Sequence, residues 1–188
     1  MAQSPGSDTR FRRLFDEYET AMREYCSRRL GVQEANDAAA EVFLVAWRKI
    51  DQVPTGHDAR LWLYGVARNV VRNASRSSRR RERLAAKTAG TAPNPRSGPD
   101  EVVVRRAEDD LVLKAMSQLK PDDEELTRLH TWEELSRTEL AAVFDISTEA
   151  VDMRLSRARK RLARALKSVG YTPEFSTRPR AAEEGGSL

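Results

Sequence analysis

The chain has 188 residues and a net charge of +4; 39% of its side chains are hydrophobic and 33% are charged, against about 45–50% and about 25% in ordinary globular domains. Such a composition does not fill one large core, so two small helical cores with a solvated join are expected. The longest apolar run, residues 42–47, is far shorter than the roughly 20 residues that span a membrane, and the single cysteine, Cys26, excludes an internal disulfide and any multi-cysteine zinc site.

The N-terminus is polar and has no hydrophobic stretch before its first arginines. No secretory signal peptide is therefore predicted, and residues 1–9 are expected to be disordered. Together with the lone cysteine, these features favour a cytoplasmic protein without membrane insertion.

The first half of the chain contains three apolar stripes with helical spacing: residues 14–30, 42–50 and 61–71. Gly31 is the predicted end of the first helix, and Asn36 or Asp37 the predicted start of the second. The third stripe continues into an arginine-rich segment. We find no alternation of the kind that strands require, so the fold class is predicted to be all-α.

A change in composition divides the chain into two helical domains. Ala, Thr, Gly, Pro, Ser and Asn dominate the middle segment, which predicts a flexible linker, and the C-terminal segment has the composition of a disordered tail. The predicted layout is a first helical domain, a linker, a second helical domain and a tail: residues 10–84, 85–107, 108–168 and 169–188.

The second domain carries the pattern of a helix-turn-helix. Ser136 is followed three residues later by Glu139, which is a capping-box spacing and predicts the start of a short helix. Residues 145–147 can turn the chain, with Ser147 as the N-cap of a longer helix. An ordinary helical hairpin with a solvated basic face fits this spacing equally well.

The distribution of charge favours DNA binding over the plain hairpin. Residues 60–87 hold nine basic residues and one acidic residue, residues 121–152 hold ten acidic residues and two arginines, and residues 154–167 hold seven basic residues and no acidic one. Two cationic blocks separated by an acidic block suggest two surfaces that bind polyanions. Solvated helix faces that happen to be basic remain the alternative for either block alone.

Three blocks of sequence, in order, resemble a known family. Residues 37–47 (DAAAEVFLVAW) resemble the signature helix of conserved region two in bacterial sigma factors of the extracytoplasmic-function (ECF) group, and residues 62–69 (WLYGVARN) resemble the promoter-melting helix that follows it. Residues 113–158 resemble conserved region four. The resemblance extends over roughly residues 11–166 and includes a linker in the expected place.

The resemblance implies a sigma factor that initiates transcription without catalysing a reaction, and without a cofactor or a metal. Region two would bind the clamp helices of the beta-prime subunit of core RNA polymerase, recognise the minus-ten element as exposed single strand and help to melt the DNA. Region four would bind near the flap of the beta subunit and recognise the minus-thirty-five element as duplex. The resemblance also implies an anti-sigma partner, and a role in a stress or envelope response.

The resemblance also suggests individual site residues. Asp37 and Glu41 lie four residues apart, hence on one helix face, and match the acidic positions that bind core polymerase. The loop of residues 51–58 matches the one that captures a flipped minus-ten base, and Asn69 the amide beside it. The predicted minus-ten residues are His57, Asp58, Arg60, Trp62, Asn69, Arg72 and Arg76. The predicted minus-thirty-five residues are Thr148, Glu149, Met153, Arg154, Ser156 and Arg157, with Arg154 as the candidate for a bidentate guanine contact.

Five positions depart from the family pattern: Ala40, Ala74, Ser75, Asp145 and Asp152. Ala40 replaces a common glutamine in the polymerase-binding helix. Asp145 takes a turn position where glycine is usual, although aspartate tolerates left-handed backbone better than most residues. Asp152 replaces a frequent lysine, and we expect its carboxylate to repel phosphate.

Several residues have two interpretations. Phe43 and Trp47 belong to the core or to the polymerase interface, with the core favoured. Trp62 either stacks on the melted DNA or anchors its helix, with the anchor slightly favoured. His57 is interpreted as a loop residue rather than a metal ligand, because no second ligand lies at a suitable spacing.

Two other classes of function fit the sequence less well. One is a stand-alone helix-turn-helix regulator with an N-terminal interaction domain, which leaves the Asp37/Glu41 face without a role. The other is a nucleic-acid enzyme, for which the sequence offers no paired carboxylates in a plausible pocket, no Cys/His dyad and no glycine-rich phosphate loop.

Overall fold

The computed structural model of the chain describes residues 5–89 and 107–168. These residues form seven α-helices and no strand, which confirms the all-α prediction. The helices are α1 (Pro5–Ser27), α2 (Val32–Arg48), α3 (His57–Ala89), α4 (Ala107–Met116), α5 (Pro121–Thr131), α6 (Arg137–Phe144) and α7 (Thr148–Ser168). A short 3-10 helix, Ile50–Gln52, connects α2 to α3. The rest of the predicted linker and the predicted tail lie outside the described residues.

Helix α1 begins inside the segment that was expected to be disordered. It starts at Pro5 rather than after residue 9. Proline suits a first helical turn because its missing N–H would have no partner there. Asp8 lies in the same turn, where its charge complements the helix dipole, and it pairs with Arg12 at 3.0 Å.

Helices α2 and α3 also extend beyond their predicted bounds. Helix α2 starts at Val32, four residues before Asn36, because Gly31 acts as its N-cap through the backbone alone (φ −65°, ψ 159°). A cap without a side-chain oxygen leaves no polar signal in the sequence. Helix α3 continues to Ala89, past the predicted boundary at residue 84, since the Ala-Ala-Lys that follows that boundary favours helix.

The N-terminal helices (α1–α3) form a bundle with an aromatic cluster at one end. Phe43 is 5% exposed, and its ring lies edge-on to Phe15 at 4.8 Å between centroids. Phe11 contacts the half-buried Trp47 at 5.0 Å in the same way. Trp62 is also partly buried and packs against the core. The core interpretation is confirmed for Phe43, and the packing of Trp62 agrees with the anchor.

The C-terminal helices (α4–α7) surround a smaller set of aliphatic side chains. Leu126, Leu140 and Val151, one each from α5, α6 and α7, are fully buried. Helix α4 packs against the end of α7 through a separate small cluster that includes Ala115 and Leu166. Among the described residues, only these contacts of α4 with α7 are separate from the main buried cluster of the molecule.

The cores of the two sets of helices are contiguous, not separated by a solvated join as expected. Leu126, Leu140 and Phe144 belong to the same buried cluster as Leu63 and Tyr64 of α3. A chain that is too polar to fill two independent cores gains apolar burial by pressing the two together. The two sets of helices thus contact each other directly, and their interface includes the predicted DNA-binding face of α3.

Cys26 lies in the N-terminal core and is fully buried, and burial raises the pKa of its thiol to about 11. In residues 5–89 and 107–168, no group of three or more His, Cys, Asp or Glu side chains could hold a metal ion. None of the helices described for this chain is both long enough and apolar enough to cross a membrane.

Candidate nucleic-acid and polymerase interfaces

Helix α6 begins with the predicted capping box. The Ser136 Oγ accepts a hydrogen bond from the Glu139 N–H at 3.2 Å, and the Ser136 N–H donates to Glu139 Oε2 at 2.7 Å. Burial alone would raise the pKa of Glu139, but hydrogen bonds from Ser136 and from His57 lower it below the ordinary value of 4.5. Two N–H groups at the helix start are thereby satisfied, which fixes where the first helix of the motif begins.

The turn after α6 is the one the sequence predicts. Asp145 is the C-cap in the left-handed conformation (φ 52°, ψ 53°). Ser147 caps α7, because its Oγ accepts from the Ala150 N–H at 3.2 Å. Hydrogen bonds from its own backbone N–H and from the Ser147 hydroxyl lower the pKa of Glu149, at the positive end of α7. Helices α6 and α7 therefore form a helix-turn-helix.

The start of α7 presents an open polar face. Val151, Leu155 and Ala158 are buried against the core, while Met153 is 58% exposed. The remaining predicted minus-thirty-five residues are exposed or partly exposed on the same helix: Thr148, Glu149, Arg154, Ser156 and Arg157. Such a helix, which packs on the core with one face and presents an exposed polar face at its start, has the shape that enters a major groove.

Asp152 on this face has a cationic partner. Its Oδ1 lies 2.5 Å from Nε of Arg137, the first residue of α6, and both side chains are more than half exposed. The sequence-based expectation was that Asp152 repels phosphate. The ion pair gives this carboxylate a cationic neighbour within the protein and links α7 to α6.

The predicted polymerase-binding residues lie along a groove of about 650 Å³ between α2 and α3, which we call the α2–α3 groove. Asp37 and Glu41 are exposed on its α2 side, and Asn69 is exposed on its α3 side. Asn69 was expected to line a base pocket with residues 51–58, but none of those residues lines this groove. The structure thus places Asn69 with the predicted polymerase-binding residues.

Four side chains on one side of α3 point towards the C-terminal helices; we call them the basic α3 face: His57, Arg60, Arg68 and Arg72. Nε2 of His57 lies 2.6 Å from Oε1 of Glu139. Nη2 of Arg60 donates to the backbone carbonyl of Glu133 at 3.1 Å. The beginning of α3 is therefore hydrogen-bonded to α6 and to the segment before it.

The middle of the basic α3 face contacts α5 and α6. Nη2 of Arg68 lies 2.8 Å from Oδ1 of Asp122, and Nη1 of Arg72 lies 4.0 Å from the same oxygen. The guanidinium of Arg68 also lies over the ring of Phe144, with 4.3 Å between Cζ and the ring centroid. Of the other predicted minus-ten residues, Asp58 and Arg76 are exposed.

A buried polar cluster joins the two sets of helices, and we call it the Arg29 cluster: Tyr25, Arg29, Glu125 and Glu133. Nε of Arg29 lies 2.9 Å from Oε2 of Glu125, and its Nη1 lies 3.0 Å from Oε1 of Glu133. The hydroxyl of Tyr25 donates to Oε1 of Glu125 at 2.6 Å. The side chains of Arg29 and Glu133 are only 2% and 3% exposed.

The charges of the Arg29 cluster stabilise one another. Burial would lower the pKa of Arg29, but the nearby Tyr25 and the two carboxylates raise it, so the guanidinium stays charged. Burial, followed by the charge of Glu125, raises the pKa of Tyr25 well above its ordinary value. Sequence reasoning missed this cluster, because about a hundred residues separate Arg29 from its partners and no local pattern connects them.

Comparisons with known proteins agree with the order of these elements. The model of the family "Sigma-70 region 2" matches residues 14–81, and that of "Sigma-70, region 4" matches residues 109–162. The ECF RNA polymerase sigma factor SigL of Mycobacterium tuberculosis is 30% identical over 86% of this chain and 91% of its own length. The RNA polymerase sigma factor CnrH of Cupriavidus metallidurans is 28% identical over 86% of this chain and 88% of its own.

Two solved structures share the fold. One is the sigma factor RpoE in complex with the anti-sigma factor NepR from Bartonella quintana, with a TM-score of 0.59 and 24% identity over 84% of this chain and 96% of that one. The other is CnrH in complex with the cytosolic domain of CnrY, with a TM-score of 0.58 and 22% identity over 84% of this chain and 88% of that one.

Proposed function

Because this chain belongs to the ECF sigma factors of RNA polymerase, we propose that it directs core RNA polymerase to promoters through one polymerase-binding surface and two DNA-binding surfaces. The observation that carries this assignment is their separation: the α2–α3 groove, the basic α3 face and the start of α7 are three distinct surfaces. A factor that bridges an enzyme and two promoter elements needs such an arrangement.

The α2–α3 groove is the proposed polymerase surface. Asp37 and Glu41 are exposed and lie one helical turn apart on α2, so two carboxylates face one partner. They would bind basic residues of the beta-prime clamp helices. Electrostatic complementarity of this kind contributes chiefly to the association rate and to specificity.

The basic α3 face and its neighbours are the proposed minus-ten surface. The cationic members bind phosphates of the melted strand, and each phosphate neutralised adds roughly 0.7 to the salt dependence of binding to a single strand. Trp62, Asp58 and Arg76 extend the surface along α3, and Asn69, which follows Arg68 on α3 but lines the α2–α3 groove, offers an amide. An exposed base can be recognised on its hydrogen-bonding edge only after it leaves the stack.

The start of α7 is the proposed minus-thirty-five surface, with the C-terminal helices docked near the beta flap. Arg154 is the candidate for bidentate contact with a guanine, and such a contact contributes about 1–3 kcal/mol of discrimination. Thr148, Glu149, Met153 and Ser156 supply the remaining contacts to bases, and Arg157 supplies a contact to the backbone.

Regulation by a protein partner completes the proposal. RpoE and CnrH were each solved with a protein partner, an anti-sigma factor in one case and the cytosolic domain of CnrY in the other. We infer an anti-sigma factor for this chain as well, released during a stress or envelope response. The protein would act in the cytoplasm, where polymerase and chromosome meet, and would catalyse no reaction itself. Co-purification from unstressed cells tests the partner, and recovery of the protein without a stoichiometric partner would contradict it.

Run-off transcription with core RNA polymerase on a genomic promoter library tests the function itself. We expect new start sites that depend on the protein. Asp37→Asn/Glu41→Gln should weaken binding to core polymerase at least about tenfold, whereas Asp16→Asn/Glu134→Gln removes two exposed charges elsewhere and should leave it unchanged. No new start sites would overturn the proposal, and DNA binding without any binding to core polymerase would favour a stand-alone regulator.

A further inference from the structure

The contacts between the two sets of helices form more than a passive interface. We propose that the Arg29 cluster is an intramolecular latch, which holds the C-terminal helices over the basic α3 face and so closes the free protein to single-stranded promoter DNA. The inference rests on the proposed minus-ten role of that face. The order of events that it sets on the enzyme also uses the proposed polymerase-binding role of the α2–α3 groove.

The first argument is the burial of charge at the joint. Arg29 of α1 and Glu133, which follows α5, are 2% and 3% exposed and lie 3.0 Å apart. Charged side chains are almost never fully buried unless they are paired, because leaving water is costly. Each of these residues finds its partner only when the two sets of helices are together. The cluster therefore specifies one relative placement of the helices.

The second argument is what the latch holds in place. Acidic and carbonyl oxygens of the C-terminal helices occupy the hydrogen-bond donors of the basic α3 face: Asp122 binds Arg68, Glu139 binds His57, and the carbonyl of Glu133 binds Arg60. Phosphate oxygens would compete for the same donors. Two carboxylates and one carbonyl from the C-terminal region thus engage donors that a DNA strand would need.

The third argument is that the polymerase surface stays open. Asp37 and Glu41 are exposed in the closed arrangement and line the α2–α3 groove on the side of α2. No residue of the C-terminal helices lines that groove. Core polymerase can therefore bind the closed form, and release of the latch follows on the enzyme. The protein would therefore bind the enzyme first and the single DNA strand second.

The test measures opening in the full chain by energy transfer between dyes on Thr20→Cys and Gln118→Cys, which are exposed on α1 and after α4. The native Cys26 can stay, because it is buried with a raised pKa and reacts slowly. In the reference chain we expect a dominant high-transfer population, which shifts to low transfer when core polymerase is added. A free protein that is mostly in the low-transfer state would overturn the proposal, and so would unchanged transfer on the enzyme.

The latch variant is Glu125→Gln/Glu133→Gln, which leaves Arg29 without an anionic partner in the closed state. The matched control, Glu134→Gln/Asp145→Asn, removes the same number of charges at exposed sites that make no interdomain ion pair. We expect the latch variant to open and the control to stay closed. If both variants open, or neither does, the Arg29 cluster is not the latch.

A second variant is designed to separate the two sets of helices without removing a charged side chain. The carbonyl oxygen of Val143 lies 4.0 Å from the position that a Cβ on Gly65 would take, which leaves room for a methyl group, and we expect a side chain as long as glutamine to push α3 away from α6. Gly65→Gln also favours the helix, since glycine is a poor helix former. The N-terminal helices should therefore stay folded while the joint opens, and helical circular dichroism should be preserved.

The functional readout is the affinity for an oligothymidylate of about 16 nucleotides, measured without polymerase. If about a tenth of the free protein is open, full opening raises this affinity about tenfold. We expect that gain for the latch variant and for Gly65→Gln, and at most a small gain for the charge control. Equal affinity in all four proteins would overturn the latch, while run-off transcription by the reference chain would still support the sigma function.

Discussion

The two proposed DNA-binding surfaces of this chain differ in accessibility. The basic α3 face is bonded to the C-terminal helices through Arg60, Arg68 and His57. The start of α7 faces solvent, with Met153 58% exposed. One protein therefore holds one DNA-binding surface hydrogen-bonded to its own C-terminal helices and leaves the other facing solvent.

The difference has a chemical basis in the strands that each surface binds. Duplex DNA is present before initiation, so a helix that enters its major groove can be permanently accessible. Single-stranded DNA appears only when the duplex melts, and a permanently exposed cationic face would bind any polyanion by charge alone. The proposed latch, by engaging the donors of the basic α3 face while α7 stays open, would confine strand binding to the stage at which it is useful.

The largest expected effect comes from removing the cation at the centre of the interface. Arg29→Met leaves Glu125 without a cationic partner and Glu133 with only the more distant Arg28 at 3.4 Å, and breaking a buried pair costs about 3–5 kcal/mol. Separation of the two sets of helices would hydrate the carboxylates and limit the loss. Denaturant unfolding measures it, with Arg23→Met as the control, since Arg23 forms an exposed pair with Glu19 on one helix. Equal effects of the two substitutions would contradict the burial argument.

The next largest effect tests whether the two cores act as one. Leu126 is fully buried in the cluster that also contains residues of α3, and Leu126→Ala should lower the free energy of unfolding by about 2–5 kcal/mol. Amide hydrogen exchange should then quicken in α3 as well as in α5. Leu44→Ala, at a site 40% exposed, should cost less than about 0.5 kcal/mol. Unchanged exchange in α3 would mean that the two cores unfold separately.

A smaller effect is expected at the open surface. Arg154→Ala should reduce the preference for the cognate minus-thirty-five duplex by about 1–3 kcal/mol. Lys160→Ala, an exposed cation further along α7, should weaken binding to all duplexes alike. Both losses, measured by fluorescence anisotropy, should be the same in the latch variant, because α7 is open in either arrangement. A loss that depended on the latch would contradict the difference between the two surfaces.

The smallest effect follows from the lowered pKa of Glu139. A carboxylate with a folded-state pKa below its unfolded value stabilises the fold above about 4.5, and the stabilisation is lost as the pH falls through the folded pKa. Glu139→Gln should therefore be less stable than the reference chain at neutral pH, with a difference that shrinks in acid. Thermal unfolding across this range measures it, and a constant difference would argue against a charged Glu139 bound to Ser136 and His57.

The local features of the helix-turn-helix were predictable from sequence because short-range rules govern them. The Ser136–Glu139 capping box, the left-handed Asp145 and the Ser147 cap all depend on residues within a few positions of one another. The start of α2 was missed because its cap, Gly31, acts through the backbone. Local chemistry predicts local structure only where a side chain carries the signal.

The joint between the two sets of helices was not predictable by the same means. Arg29 has the sequence context of a surface arginine, and nothing near it identifies Glu125 or Glu133 as its partners. The composition suggested two separate cores. It could not reveal the contact between them, because the apolar area that each set of helices buries against the other depends on their relative placement. The assignment of Asp37 and Glu41 to polymerase binding stays a prediction, based on family resemblance and on their exposure.

The burial of Cys26 has a practical consequence. A sulfhydryl that is walled in and almost wholly protonated at neutral pH can meet an electrophile such as iodoacetamide only when the surrounding helices come apart. The rate at which Cys26 is alkylated therefore reports how often the N-terminal bundle opens transiently. This measurement needs no added label.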